Sequence, residues 1–464
     1  VLSTLNEDGS RRWLRPLPSH GPWWRRRRAL AWVLMVVFLA LPYVPVAGRP
    51  AVLLDLPRRE FLLFGARFLA TDTVLFMLLM ISTLIGIFLV TAALGRVWCG
   101  WGCPQTVYME FLFRPLEYLI EGGPRGVTAL DRAGPLHPRR LLKYAVFLIL
   151  ALALAHTFLA YFVGVETLAT WVRRSPVEHP TTFLIMLGTT AAVFLDFTWF
   201  REQTCLVACP YGRLQSVLLD RRSLIVGYDA KRGEPRGRLG GRDRAESAGD
   251  CVDCGMCVLT CPTGIDIRDG LQMECIHCTQ CADACDRVMA KVGRPPGLIR
   301  YGSRDGFERR KGGWLRPRVL VYPVVLLLTG GLFVTALVTR DSLDVTLLRG
   351  TGAPYAPRPD GTILHQVRIK LVNRTDRERR VSIEMVRARD AQLVAPMNPH
   401  PLPARAMATT SVFVITPATG FRRGERDITF ALSDGGGWHE HHDWKLLGPE
   451  GPEGGGADRG GARR

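Results

Sequence analysis

The sequence has 464 residues, and 60 basic against 42 acidic side chains leave a formal charge of +18, while 47% of residues are hydrophobic. A mean hydropathy of +0.10 beside a pI near 9.8 excludes a disordered tail and an ordinary soluble enzyme, because the apolar residues come in long uncharged blocks between Arg-rich stretches, as in a polytopic membrane protein. Only six of the 60 basic residues are Lys, and Arg clusters abut apolar runs, as at residues 25–28, all Arg, before Ala29, which favours a membrane surface over nucleic acid.

Residues 1–28 form a basic N-terminal segment, expected in the cytoplasm because it holds Arg11, Arg12, Arg15 and the four Arg at 25–28. About five stretches are apolar for close to the ~20 residues that cross a ~30 Å bilayer core: 29–47, 73–95, 141–164, 181–200 and 317–339. Pro42 and Pro45 end the first. A signal-peptide reading of 25–47 is disfavoured because the tract lacks a small-x-small cleavage site. The short run 61–70, which holds Arg67, is read as interfacial. Five crossings put the loops 96–140 and 201–316 in the cytoplasm and the C-terminus outside; four Arg within 49–72 oppose this mildly. At depth, His156 is expected to make a helix–helix hydrogen bond, since haem would need a facing His; Asp196 and Glu166 lie near span ends.

The 12 cysteines all lie between Cys99 and Cys285, in metal-ligand spacings and not in a disulfide framework. Such ligands must be reduced thiolates, as in the cytoplasm. Trp98-Cys99-Gly100-Trp101-Gly102-Cys103-Pro104 follows the second span, and Cys205-Leu206-Val207-Ala208-Cys209-Pro210 follows the fourth. In a helix, the i, i+4 spacing puts both sulfurs of a pair on one face, so four thiolates are expected to converge at one membrane edge. Arg96 and Arg201 strengthen the impression of an internal repeat. Cysteine is also an ordinary buried small hydrophobe, which is the bland alternative. Soft thiolates select Cu(I), zinc or an iron–sulfur cluster, and a copper-preferring site beside a redox module suggests Cu(II) reduction.

That module is Cys251-x2-Cys254-x2-Cys257-x3-Cys261-Pro262 and its repeat Cys275-x2-Cys278-x2-Cys281-x3-Cys285. This is the bacterial two-cluster ferredoxin run, in which the remote fourth Cys ligates the other cluster. One [4Fe–4S] centre is therefore assigned to Cys251, Cys254, Cys257 and Cys285, and the other to Cys275, Cys278, Cys281 and Cys261. Zinc, which also uses C-x2-C pairs, is the alternative. His277 is read as a solvated loop residue.

From about 341 the pattern turns to period two, as at 364–372, 381–385 and 411–415, which predicts a small immunoglobulin-like β-sandwich. Strand alternation would put His439, His441 and Asp443 on one face, with His442 opposite; an exposed edge strand is preferred to a metal site. The tail after Leu447 is Gly-rich and charged, hence expected to be disordered. The fold class is thus a membrane α-helical bundle of about five spans with an inserted two-cluster ferredoxin-like α+β module and a C-terminal all-β sandwich. The domains are 1–28; a four-span membrane domain with both pairs, 29–240; a ferredoxin domain, 241–300; linker and fifth span, 301–340; a periplasmic sandwich, 341–447; and the tail, 448–464.

Arg96 through Thr106, Arg201-Glu202-Gln203-Thr204-Cys205 through Cys209-Pro210, Gly233-Glu234-Pro235-Arg236-Gly237, Gly249-Asp250-Cys251 and Gly264 through Gly270 together resemble the CcoG/FixG family of cytochrome c oxidase accessory proteins. The resemblance runs from about 49 to 300, and the first 28 residues match nothing in it. It implies a multi-pass inner-membrane protein with two [4Fe–4S] clusters that reduces Cu(II) to Cu(I) for assembly of a cbb-type oxidase. The catalytic and copper-holding residues would be Cys99, Cys103, Cys205 and Cys209. Implied partners are membrane lipids, oxidase assembly factors, a copper chaperone or transporter, and an external electron donor, as no G-x-G-x-x-G follows a strand; a homodimer is left open. The alternative is a membrane ferredoxin-type electron conduit, similar to quinol dehydrogenases, that passes electrons to a partner protein and binds no copper. A structural assembly factor would show no turnover.

Overall fold

The computed structural model describes residues 3–449 except 7, 47, 57–59, 70, 71, 135, 239–248, 311–315, 376, 388 and 389. The chain divides into two compact units, Val1–Ala336 and Leu337–Arg464. Nearly all of the expected disordered tail lies outside the described residues.

Among the described residues of the first unit, four helices are long and apolar enough to cross a membrane, Thr73–Leu94, Pro138–Val163, Pro180–Phe200 and Pro317–Val338. The first expected span, 29–47, is not among them. Helix α1, Pro22–Ala40, starts with proline in its first turn and carries all four Arg of 25–28 in its first two turns. Its apolar part is the shorter stretch 29–40. Even so, its 19 residues reach ~28 Å, and near its far end Tyr161 donates to the Phe38 carbonyl at 2.8 Å. Tyr161 is in the last turn of Pro138–Val163, so α1 runs alongside that helix.

Within the stretch expected at the interface, residues 61–69 take part in a hairpin. Val52–Asp55, Glu60–Leu63 and Ala66–Leu69 make a three-stranded antiparallel sheet. Leu63 pairs with Ala66 across a two-residue turn, Phe64-Gly65, with φ of 49° and 87°, the positive-φ geometry that matches strand twist. Arg67 is held by Glu60 at 2.9 Å, a cross-strand ion pair that periodicity could not reveal. His156 also differs from expectation: its Nδ1 lies 2.8 Å from the carbonyl of Leu152 on its own helix.

Beyond the spans, strands Ile225–Tyr228 and Ile299–Gly302 pair antiparallel and frame the cysteine-rich segment with a helix, Gln280–Lys291. The strand Ile225–Tyr228 lies before the expected start of this module at 241.

The second unit is a sandwich. One sheet orders Gln392–Val394, Met407–Pro417, Thr362–Asn373 and Leu343–Arg349, with Ala356–Pro357 on Thr362–Asn373; the other orders His400–Leu402, Arg379–Arg387, Glu425–Ser433 and His439–Leu447. Inward residues of the predicted alternation, among them Val367, Ile369, Ile383, Val412 and Val414, are fully buried in its core. His439, His441 and Asp443 lie on the exposed face of the edge strand, while His442 meets Glu440 at 2.9 Å.

Candidate metal centres

The two ferredoxin loops share one backbone design. In the first, Asp253 and Gly255 flank Cys254 with φ of 48° and 66°; in the second, His277 and Thr279 flank Cys278 with φ of 54° and 59°. Left-handed residues on both sides of the middle Cys bend the chain around a body instead of continuing a strand or helix. Gly255 and Thr279 then cap short and long helices, Met256–Leu259 and Gln280–Lys291. Cys285, on the second helix, lies in electrostatic reach of Cys257, Cys251 and Cys254. Cys281 is likewise influenced by Cys278, Cys275, Cys261 and Cys257, and those five line one cavity. The structure thus brings the thiols of both loops close to one another.

Burial pushes the Cys257, Cys275 and Cys285 thiols up to about 12 and Cys278 to about 11, because a thiolate there loses its hydration. The fully buried Arg27 has no acceptor for either terminal nitrogen, yet its charge acts on Cys278. A cubane on four thiolates is anionic and offers sulfur acceptors, so this orphaned cation fits such a group. Among the described residues no three His, Cys, Asp or Glu side chains close on a single metal ion.

His277 is fully buried, which corrects its expected solvated setting. Its Nδ1 accepts from the Arg96 amide at 3.2 Å, leaving Nε2 as a buried donor with no partner. Burial, and then the Arg96 charge, lower its pKa to about 3, so the ring is neutral.

The membrane-edge pairs also converge. Cys99 feels Cys103 and Cys209, and Cys205 feels Cys103, Cys99 and Cys209. The local structure is not the single helix expected. Cys99 sits in Val97–Trp101, the chain breaks at Gly102, and Cys103 is the extended N-cap of Pro104–Tyr108. Cys205 lies in the π-helical Thr204–Ala208, and Cys209 is the extended N-cap of Pro210–Leu218. In each pair the trailing proline therefore starts a helix, where its missing N–H costs nothing. The repeat reaches further back. Gly95, four residues before Cys99, has φ 64° and ψ −133°; Arg201, four before Cys205, has φ 54° and ψ −120°. A Cβ at Gly95 would run into the Leu224 carbonyl, whereas Arg201 holds this unfavourable backbone while bonded to the buried Glu117.

Burial pushes Cys99 up to about 11 despite Arg96, and raises Cys103 and Cys205. Cys99 donates to Gln215 Oε1 at 3.0 Å, and the fully buried Gln215 donates to Tyr211 at 2.6 Å. These buried thiols are neutral, ready to exchange protons for a soft cation.

The two groups of thiols meet backbone to backbone. A Cβ on Gly100 would lie 2.5 Å from the Ile276 carbonyl and 3.0 Å from Cys278 Cα, so only glycine allows this approach. Arg27 Nε donates to the Gly100 carbonyl at 2.9 Å. Trp101 donates to Tyr301 at 2.9 Å, and Tyr301 to the His277 carbonyl at 2.9 Å. Cys205 shares a small cleft with Pro262, Thr263 and Ile276 of the ferredoxin loops. A further tie is Asp283, which accepts from the Trp23 and Trp24 amides at 3.2 and 2.7 Å and so caps α1 from another helix. Sequence reasoning missed Arg27, Gly100, Gln215, Asp283 and Tyr301. The one available signal was a glycine inside the first C-x3-C-P pair.

Comparison with known proteins agrees. A family model described as a 4Fe-4S dicluster domain matches residues 200–304, a 4Fe-4S binding domain matches 76–121, and the IG-like fold at the C-terminus of FixG matches 333–449. The nitrogen fixation protein FixG of Rhizobium meliloti is 34% identical over 408 residues, 77% of this chain and 77% of its own length. Protein RdxB of Cereibacter sphaeroides is 33% identical over 449 residues, covering 90% and 93%, and protein RdxA of the same organism is 36% identical over 375 residues, covering 76% and 78%. With the cysteines of both loops gathered together, four apolar helices among the described residues and a C-terminal sandwich in place, the chain belongs to the FixG family, as a membrane-bound iron–sulfur electron-transfer protein with two [4Fe–4S] clusters.

Proposed function

We propose that the protein is a cupric reductase that converts Cu(II) to Cu(I) at Cys99, Cys103, Cys205 and Cys209 for assembly of a cbb-type cytochrome c oxidase. The observation that carries this reading is that the four thiols feel one another's charge, while Gly100, between Cys99 and Cys103, packs on the backbone of the 276–278 loop. The cluster ligands would be Cys251, Cys254, Cys257 and Cys285 in one centre, and Cys275, Cys278, Cys281 and Cys261 in the other. When bound, the clusters supply electrons one at a time. Copper is the substrate: Cu(II) displaces thiol protons, gains one electron and leaves as Cu(I), which sulfur prefers. Without that supply, two thiolates would reduce two Cu(II) ions and close to a disulfide. Lipids, oxidase assembly factors, a copper chaperone or transporter and an external electron donor are the proposed partners.

The test is Cys99→Ser, Cys103→Ser, Cys205→Ser and Cys209→Ser in protein purified without oxygen. Cu(II) reduction should fall while the reduced-cluster EPR signals persist, whereas Cys254→Ser should stop sustained turnover and still let copper bind. Parent rates in all four edge variants would refute the reading and favour the electron conduit. A second reading has its own support, since the 4Fe-4S binding domain match at 76–121 spans Cys99 and Cys103. In that case the edge variants would lose additional iron and sulfide.

The proposed orientation puts the N-terminus, 96–140 and 201–316 in the cytoplasm and the sandwich in the periplasm. A reporter fused after Leu447 should show periplasmic activity, and one near Gly240, in the undescribed stretch, cytoplasmic activity; the reverse would refute it.

A further inference from the structure

We propose that a cavity between the N-terminal segment, α1 and the helix Arg114–Glu121 binds the ring of a lipid-soluble hydroquinone, the electron donor of the ferredoxin module. This deepens the electron-transfer reading and rests on it.

The cavity holds about 390 Å³, within the roughly 300–1,000 Å³ of small-molecule sites. Its walls include Leu17, Trp24, Trp32 and Phe111, and its polar groups include Glu110 and Gln280. Trp24 and Phe111 have ring centroids 6.2 Å apart, and Asp283 fixes the Trp24 backbone at 2.7 Å. These are flat apolar walls on a rigid frame, suited to an aromatic ring.

The polar end distinguishes the ring from a lipid chain. Gln280 is 3% exposed and donates to Glu110 Oε2 at 2.6 Å, and Glu110 also pairs with Arg114. An acyl chain would bury against these groups without a hydrogen bond, at a desolvation cost, whereas a ring hydroxyl can donate to the lone pairs that Glu110 has left beyond Gln280 and Arg114. The entrance points to the membrane. Trp32 is 46% exposed and continues into Val33, Val36 and Val37, all exposed on α1, so a lipid-soluble molecule reaches the cavity sideways. Gln280 in turn adjoins Cys281 in the chain, so the ring would sit one residue from a proposed cluster ligand.

The step balances. Hydroquinone becomes quinone by losing two hydroxyl protons and two electrons. Glu110 is placed to take one proton and His20, exposed at the mouth, the other; the two [4Fe–4S] clusters, when bound, would accept one electron each.

The experiment uses the full chain in lipid nanodiscs without oxygen, with decyl-ubiquinone and menadione as separate probes. Binding is read from quenching of tryptophan fluorescence, and the reduced probes are then tested for bleaching of the clusters. At least one ring should bind saturably, and its hydroquinone should bleach the clusters. Leu17→Trp, which fills the cavity, should weaken binding about tenfold or more, with the dithionite-reduced EPR spectrum as the folding control. If Leu17→Trp loses iron, Trp32→Ala on the lipid-facing rim is the second variant and should weaken binding about threefold. Absence of saturable binding by either ring, equal binding in the variants, or displacement of the probe by added fatty acid would overturn the proposal. Copper plays no part in the readout. Ring binding without Cu(II) reduction would sink the copper reading alone, and Cu(II) reduction without ring binding would sink this one alone.

Discussion

Replacing Asp283 by alanine should loosen the first two turns of α1 and little else. Its carboxylate accepts from the Trp23 and Trp24 amides at 3.2 and 2.7 Å, and the residue is 3% exposed, so water cannot easily substitute. A helix cap contributes about 0.5–2 kcal/mol and a hydrogen bond to a charged group about 1.5–3 kcal/mol. With two such bonds aimed at the positive end of a helix dipole, the loss should be about 2–4 kcal/mol. At ~1.4 kcal/mol per factor of ten, local opening becomes about 30-fold or more frequent. Hydrogen exchange in nanodiscs reads this directly: amides of residues 23–28 should exchange at least about 30-fold faster in Asp283→Ala. Those of Met407–Pro417 in the sandwich should not change. Equal protection of 23–28 in both proteins would refute the capping role.

Glu117→Gln should lower the thermal midpoint, because Arg201 and Lys143 lose a buried partner, a change of about 3–5 kcal/mol; an unchanged midpoint contradicts it. Burial pushes Glu117 up, but the Arg201 and Lys143 charges outweigh it and hold it at about 2. Its contribution is therefore present above the ordinary carboxylate value and lost as pH falls towards 2, so the gap between parent and Glu117→Gln midpoints should narrow over that window. Gly100→Ala should strip iron from the 275–281 loop, since the new Cβ meets backbone at 2.5 Å. Gly86→Ala, with nothing within 4 Å, should keep the parent's iron content; equal iron in both variants would count against the close approach. In the sandwich, Asn373→Ala should cost about 2–3 kcal/mol in a melting curve, because Asn373 donates to the carbonyls of Arg377, Leu402 and Pro403 and accepts from Thr375.

The cluster cysteines were legible because a cofactor with fixed corners imposes a fixed spacing, which survives whatever surrounds it. The spans and sandwich strands were legible for a similar reason, as bilayer thickness and sheet pleat each impose a period. What escaped were features set by distant partners. Four consecutive arginines read as a solvated cytoplasmic flank, yet Arg27 is fully buried against Gly100 and Cys278. His277 escaped because only the folded chain brings Arg96 to it. The hairpin around Phe64-Gly65 escaped because a short apolar run with one charge does not reveal that Glu60 lies beside Arg67. The helical reading of C-x3-C failed at Gly102, where the trailing proline restarts the helix and turns the second thiol into its cap.

The cap on α1 also has a history in time. Trp23 and Asp283 are 260 residues apart in sequence. At roughly 5–20 residues per second, the helix leaves the ribosome about 13–52 s before the carboxylate that completes it. During that interval the Trp23 and Trp24 amides have no carboxylate to accept from them. The later arrival of Gln280–Lys291 supplies it. The first long helix and the cysteine-rich module are thus linked by chain order, and a chain stalled before 283 would leave α1 uncapped.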